Sequence, residues 1–401
     1  MLRFITAGES HGKGLTAVIE GMPAGLRLGE EDIVPDLKRR QGGYGRGGRQ
    51  KIERDRAEIT AGVRHGHTLG SPIALWIQNR DWENWHEVMA VEAIDSEPKR
   101  VTRLRPGHAD LAGTMKYGFD DVRPVLERAS ARETAARVAV GAVCRRLLEE
   151  FGIEIHSRTI AIGEVTARTG PDEDWAVVEE SEVRCADAAA SKLMIEAIDS
   201  AKEAGDTLGG TFEMVATGVP IGLGSHVQWD RKLDGRLAQA VASIHAVKGV
   251  EFGDGFGLSS TPGSAAHDVI LPSAEWAERP WPRATNHAGG LEGGMTNGEP
   301  LVVRAVLKPI STLSKPLPSA DLTSGDEVRA HYERSDVCTV PAAGVVGEAM
   351  VAMVLAEAMV EKFGGDSLGE TLRNFEGYQQ TVGPRGIPAA IETQAEETSE
   401  A

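Results

Sequence analysis

Apolar residues recur in short blocks along the whole chain, and each block carries one of two periods. Residues 2–6, 15–19, 73–77, 212–219 and 301–307 alternate or run apolar over strand-like lengths, so they predict β-strands spread from end to end. Other stretches keep helical spacing. Residues 30–40 open with acids and close with Lys38, Arg39 and Arg40, the order a helix dipole favours. A second helix is predicted from Ser130, whose spacing to Glu133 is that of a capping box; Ala131, Ala135, Val138 and Ala142 follow at helical spacing, and Gly152 marks the stop. Residues 188–204 are amphipathic. Residues 233–247 put Leu233, Leu237, Ala240, Val241 and Ile244 on one face, with Gly249 as the stop and a glycine-rich loop expected at 248–257.

Residues 341–363 differ in kind. Pro341 sits in the first turn, Gly364 and Gly365 follow the end, and apolar side chains occupy nearly every side, interrupted chiefly by Glu348, Glu357 and Glu361. Such a helix belongs in the middle of the molecule. Strands and helices interleave with no Pro/Ser-rich linker and no short repeat, which predicts one domain over residues 1–390. Residues 391–401 are acidic and poor in apolar groups, and a disordered tail is expected there.

Composition narrows the function. The 401 residues are 41% hydrophobic and 26% charged, as in a soluble protein with a large core. The formal net charge of −17 argues against broad nucleic-acid affinity. Cationic residues nevertheless crowd into 39–51, Arg-Arg-Gln-Gly-Gly-Tyr-Gly-Arg-Gly-Gly-Arg-Gln-Lys. Glycines there leave backbone N–H groups uncovered beside guanidinium forks, a composition suited to a small anion and to a lid that orders over it. Three scattered cysteines, Cys144, Cys185 and Cys338, and an N-terminus without a long apolar run predict a reducing, cytoplasmic setting and no membrane span.

Candidate chemistry lies in several loops. Gly8-Glu9-Ser10-His11-Gly12 sets a histidine among small residues, which suits a proton donor that needs room for a ligand, although a lone turn histidine is more often structural. Arg105-Pro106-Gly107-His108-Ala109-Asp110 repeats the arrangement behind a rigid turn. Ser130, following Arg128, is either a phosphate cradle at a helix start or an ordinary cap. Lys308-Pro309-Ile310-Ser311-Thr312 ends a strand with a cation and two hydroxyls. Asp336, after Glu333, is a turn residue or a general base. Two rival readings exist: an RNA-binding element in Gly45-Arg46-Gly47-Gly48-Arg49, and a zinc hydrolase built on His65 and His67 on one strand face. No Cys or carboxylate cluster completes a ligand set near those histidines, so no metal is expected. Neither a P-loop nor a G-x-G-x-x-G fingerprint is present.

Read together and in order, the segments Gly8 to Gly12, Arg40 to Arg49, Asn79-Arg80-Asp81-Trp82, Arg105 to Asp110, Glu127 to Thr134, Ala246 to Glu251, Gly289 to Gly294, Lys308 to Thr312 and Arg334 to Asp336 resemble the chorismate synthase family. The resemblance implies an α+β fold, a β-α-β sandwich with a helical core layered between antiparallel sheets, assembled as a homotetramer. It implies conversion of 5-enolpyruvylshikimate 3-phosphate to chorismate by 1,4-anti elimination of phosphate, with reduced FMN as cofactor. It further implies a monofunctional, cytoplasmic enzyme served by an external flavin reductase, with NADP(H) binding possible, and no nucleic-acid or membrane partner.

The site residues follow from the same resemblance. His11 would protonate the departing phosphate, His108 would stabilise or protonate reduced flavin near N1, and Asp336 would help take the proton from N5, with Ser10 and Ser130 as a relay. Flavin contacts would come from Arg128, Ala129, Ser130, His245, Ala246, Gly293, Lys308, Pro309, Ile310, Ser311, Thr312 and Arg334. Arg40, Arg46 and Arg49 would face substrate anions, Arg40 and Arg46 also being positions associated with NADP.

Overall fold

The alternating blocks assemble into two antiparallel sheets. In the computed structural model, which describes residues 2–47, 54–94, 100–170, 173–272, 280–333 and 336–384, the first sheet has the order Arg3–Ala7, Gly14–Glu20, Ile73–Gln78, Ala57–Ala61. Leu15, Ala17 and Ile19 alternate inward and meet Ile73, Leu75 and Ile77 from the neighbouring strand. The second sheet runs Val247–Phe252, Leu301–Leu307, Gly210–Thr217, Glu154–Ile162, with Val165–Thr166 at its edge. Leu301, Val303, Ala305 and Leu307 form its buried face with Phe212, Met214 and Ala216.

Two helices fill the space between. Thr134–Glu149 packs on the first sheet, Val340–Phe363 packs on the second, and the two helices pack on each other. This is the expected β-α-β sandwich, and one contiguous apolar core runs through all four layers. Close approach needs small residues at the crossing: a Cβ on Gly141 would stand 2.3 Å from Ala349 Cβ, and one on Gly347 would stand 2.5 Å from Met214 Sδ. The helix Val340–Phe363 is long and apolar enough to cross a membrane, but 20 of its 24 residues are buried inside the sandwich, which accounts for its composition.

Several local expectations are corrected. The helix expected at 30–40 is split, Glu30–Asp32 forming a 3-10 turn and Val34–Gln41 the α-helix, because Pro35 has no N–H to continue a ladder through it. Ser130 caps a 3-10 turn, Ala131–Glu133, by accepting from Arg132 N; Glu133 is not its capping-box partner, since its carboxylate is taken by Thr6 and Arg137. The helix expected to reach 247 ends at Ala242, and Ala246 takes φ 67°, turning the chain into the strand Val247–Phe252 where a loop was expected. His65 and His67 do not share a strand face: His65, at φ 51°, and Gly66, at φ 77°, form the tight turn between two short strands, and His67 begins the second of them. The tail at 391–401 lies outside the described residues.

The one charge deep in the central helix is fully compensated. Glu348 accepts from Arg39 Nη1 and Nη2 at 2.7 Å each, from Arg145 Nη2 at 2.5 Å, from Arg184 Nη2 at 3.2 Å and from Ser157 Oγ at 2.5 Å. Burial opposes its charge, but the three guanidiniums outweigh burial and hold the carboxyl well below the usual range. Glu179, which shares Arg39 and Arg184, is held down at about 2 for the same balance of reasons. Both groups bind fewer protons in the folded chain than in the unfolded one. Their contribution to stability is therefore complete above about pH 4.5 and lost as the pH falls towards 2. Urea unfolding at stepped pH is expected to show that decline. Glu348→Ala, which takes the shared carboxylate from three guanidiniums, is expected to cost about 3–5 kcal/mol at neutral pH.

Candidate active site

At the N-terminal end of the central helix the layers open into a cavity of about 980 Å³. Its wall carries Arg40, Arg46, Arg105, Arg132, Lys248 and Lys308 with three histidines, against Asp81, Glu333 and Asp336 among the carboxylates. A cationic cavity in a chain of net charge −17 is the placement a small anionic ligand requires. Apolar surface from Ala129, Ala242, Ile244, Leu307 and Ala343 completes it.

The glycine turn at residues 8–12 enters this cavity because Asn79 holds it, donating from Nδ2 to Gly12 O at 2.8 Å and to Glu9 O at 3.1 Å. Asn79 is in turn fixed by Arg132, whose Nε donates to its Oδ1 at 2.9 Å while Nη1 donates to Asp55 at 2.5 Å. Glu127 then grips His11 twice, taking the backbone N–H at 2.7 Å and Nδ1 at 2.9 Å. Burial works against the Glu127 charge, but hydrogen bonds from His11 and Arg123 overcome it and lower its pKa. An ionised acceptor makes Nδ1 the protonated nitrogen, so proton exchange with a ligand falls to Nε2. Ser130 Oγ donates to Ser10 Oγ at 3.1 Å beside it.

His108 is held in the same fashion on another wall. Its Nδ1 lies 2.5 Å from Asp110 Oδ1, and Asp110 also receives Arg105 Nε and Nη2 at 2.9 Å each. Burial opposes the Asp110 charge, yet His108 and Arg105 hold the carboxyl far below its ordinary value. Two carboxylate-backed imidazoles thus face one cavity. A third, His245, is different: its Nδ1 is buried with no hydrogen-bond partner among the described residues, and burial foremost lowers its pKa, so it is neutral at pH 7.

The cations come from the predicted segment, but they divide. Arg39 turns into the core towards Glu348, while its neighbour Arg40, about 100° round the helix, lines the cavity. Arg40 Nε donates to Thr134 Oγ1 at 2.9 Å and Nη2 to Ala131 O at 2.8 Å. Burial foremost, opposed by Asp55 and aided by Arg132 and Arg46, lowers its pKa to about 9, the cost of a buried cation that an anion would relieve. Arg46 Nε faces Asp336 Oδ2 at 3.3 Å, and Asp336 Oδ1 accepts Gly47 N–H at 2.6 Å. Residues through Gly47 are anchored further by Tyr44 to Asp199 and by Val337 N to Gly45 O. The rest of the expected lid, 48–51, lies outside the described residues, and so do Arg49 and Arg334.

Of the other expected site residues, Ala129, Ser130, Ala246, Lys308, Ile310, Ser311 and Thr312 line the cavity, with Pro309 between its neighbours. The Lys308 pKa is lowered, by burial first and then by Lys248. Arg128 reaches outward from the cavity rim to Gly8 O and Thr6 O, at 3.0 Å each. Gly293 is not brought to this cavity: it turns a hairpin, Leu291–Glu292 to Met295–Thr296, beside the start of the helix Leu233–Ala242, whose other end reaches the cavity. Sequence reasoning missed Arg105, Arg132, Glu127, Glu333 and Trp85 as individuals. All but Trp85 sit within segments already singled out, and what hid them was the pairing across distant segments. Among the described residues no cluster of three or more His, Cys, Asp or Glu is placed to hold a metal.

The fold and cavity define an α+β protein with a preformed cationic cavity. A family model described as chorismate synthase matches residues 2–360. Proteins named chorismate synthase from Geobacter sulfurreducens and Moorella thermoacetica are 56% and 58% identical over 390 and 381 residues, each alignment covering 95% of this chain and 99% of the relative. One from Mycobacterium tuberculosis is 54% identical over 401 residues, covering 97% and 99%. A crystal structure of a chorismate synthase superposes with a TM-score of 0.75 at 46% identity, covering 94% of this chain and 97% of that one. The chain belongs to the chorismate synthase family.

Crowded guanidiniums give this site a testable signature. Inorganic phosphate or pyrophosphate is expected to raise the thermal unfolding temperature of the ligand-free chain, by about 2.7 kcal/mol of stability at a hundredfold excess over Kd. Added sodium chloride weakens the effect. Arg40→Ala and Arg46→Ala are each expected to diminish the phosphate-induced shift in scanning calorimetry.

Proposed function

We propose that this chain catalyses the 1,4-anti elimination of phosphate from 5-enolpyruvylshikimate 3-phosphate, giving chorismate and phosphate with reduced FMN as cofactor. The observation that carries the reading is the pair of carboxylate-backed histidines, His11 and His108, set in one cationic cavity of a chain belonging to this family. The substrate bears a phosphate and two carboxylates. Arg40, Arg46 and Arg132 supply fixed positive charge where anions bind, and stabilise charge developing on the departing phosphate.

His11 donates its Nε2 proton to the phosphate oxygen as the bond breaks, while ionised Glu127 holds Nδ1–H. His108, gripped by Asp110 and beside Arg105, would stabilise or protonate bound reduced flavin. Asp336, steered by Arg46 and Gly47 N–H, receives the proton that the reaction returns. The residues present suit the cofactor: His245 Nδ1 is an unsatisfied buried polar atom, Lys308, Ser311 and Thr312 offer a cation and hydroxyls, and Ala129, Ile244 and Leu307 an apolar wall. When bound, reduced FMN supplies electron density to the substrate during loss of phosphate and takes up the ring hydrogen.

On this reading the chain is monofunctional, with residues 1–390 acting as one domain. It works in the cytoplasm as a homotetramer, takes FMN reduced by a separate reductase, and holds NADP(H) at Arg40 and Arg46. The relatives' names, and alignments covering nearly all of their lengths, support the family membership on which this reading rests.

The test is an anaerobic assay with reduced and oxidised FMN side by side. Chorismate is expected only with the reduced form, and its absence there would falsify the proposal. His11→Ala and His108→Ala are expected to keep native circular dichroism and lose about 100-fold or more in kcat.

A further inference from the structure

We infer that Trp85 is a positioning residue for His11, the face of a clamp that allows the imidazole one orientation. The inference rests on the role just given to His11, while its geometry stands apart from any ligand. The indole stacks on the His11 ring with centroids 3.9 Å apart and planes inclined by 23°. On the indole, the Arg123 guanidinium lies 5.2 Å from the ring centroid. Arg123 Nη1 donates to Glu127 Oε1 at 3.1 Å, and Glu127 accepts His11 Nδ1–H. His11, Glu127, Arg123 and Trp85 therefore close a ring of four contacts.

Each contact removes a different freedom. The contact to Glu127, whose two oxygens lie 2.9 and 3.0 Å from Nδ1, selects the Nδ1–H tautomer only while the ring faces the carboxylate; alone it leaves the ring able to rock away, where the Nε2–H tautomer competes. Stacking over the ring face removes that rocking. Trp85 is held in its own right, its Nε1 donating to Asp81 Oδ2 at 3.1 Å and its backbone N–H to Trp82 O at 2.9 Å. Arg123 has a further anchor, Nη1 donating to Glu333 Oε1 at 2.9 Å, so the clamp ties His11 to a second residue of the cavity wall. Glu333 is an effective anchor, since His331 and Arg123 outweigh burial and hold its pKa at about 2. A proton donor displaced by about 1 Å costs up to about 100-fold in rate, the scale on which such a clamp matters.

The experiment compares the full-length wild type with Trp85→Ala and Trp85→Phe. Imidazole 15N NMR of the ligand-free proteins, at a pH where the ring is neutral, is expected to show His11 in the single Nδ1–H tautomer in wild type and Trp85→Phe. Trp85→Ala is expected to give averaged shifts of a mixture. In the anaerobic assay Trp85→Ala is expected to lower kcat about 10- to 100-fold with KM changed less than about threefold, and Trp85→Phe to recover kcat to within about threefold of wild type. An unchanged tautomer in Trp85→Ala overturns the inference whatever happens to kcat, because a rate loss alone would make Trp85 a ligand contact. Failure of Trp85→Phe to restore the tautomer also overturns it. The NMR arm needs no turnover, so inactivity of the wild type would count against the proposed reaction and leave the clamp still tested.

Discussion

The structure depends on a buried carboxylate. Glu348 lies in the middle of the central helix with no exposure, and the groups that satisfy it come from four separate parts of the chain: Arg39 from the helix Val34–Gln41, Arg145 from Thr134–Glu149, Ser157 from Glu154–Ile162, and Arg184 from the segment beyond. An isolated charge at this depth would cost more than the fold's net stability. Its partners must therefore arrive together, and in arriving they set the relative positions of three helices and a sheet. The consequence for the cavity is direct. Once Arg39 is drawn into the core, helical geometry turns Arg40 the other way, into the wall of the site.

The same logic recurs in the cavity with the sign reversed. Basic groups at the wall or just behind it are paired with carboxylates: Asp55 with Arg132, Asp110 with Arg105 and His108, Glu127 with His11 and Arg123, and Asp336 with Arg46. Each carboxylate orients its partner and leaves the cationic side towards the cavity. Acidic residues elsewhere carry the overall negative charge, so the site is a local inversion of the molecule's field.

Much of this was legible in the chain. Alternation in 15–19, 73–77 and 301–307 is a local property, read correctly because one face of each strand meets the core. The central helix announced itself by lacking a polar side. The helix at 188–204 was read to its last residue, since Gly205 in the left-handed conformation closes it. Element ends that depend on neighbours were not legible. Ala246 takes a positive φ, a conformation a non-glycine residue adopts only when its surroundings impose it, so the change from helix to strand there carries no local signal. The sharing of Glu133 between Thr6 and Arg137 is equally invisible to a capping rule confined to four consecutive residues.

By itself the sequence determined the strands, the apolar central helix, the cation-rich segment and, through its ordered motifs, the family whose resemblance implied the layers, because periodicity and motif order are written along the chain. Only the tertiary structure decided which residues meet. It separated Arg39 from Arg40, left Gly293 away from the cavity, set His65 and His67 about a turn, and closed a ring from His11, Trp85, Arg123 and Glu127 across more than a hundred residues of chain. The physical reason is the range of the forces involved. Hydrophobic period and helix dipole act between near neighbours in sequence, whereas compensation of buried charge is satisfied by whichever groups the packed layers bring within hydrogen-bond reach.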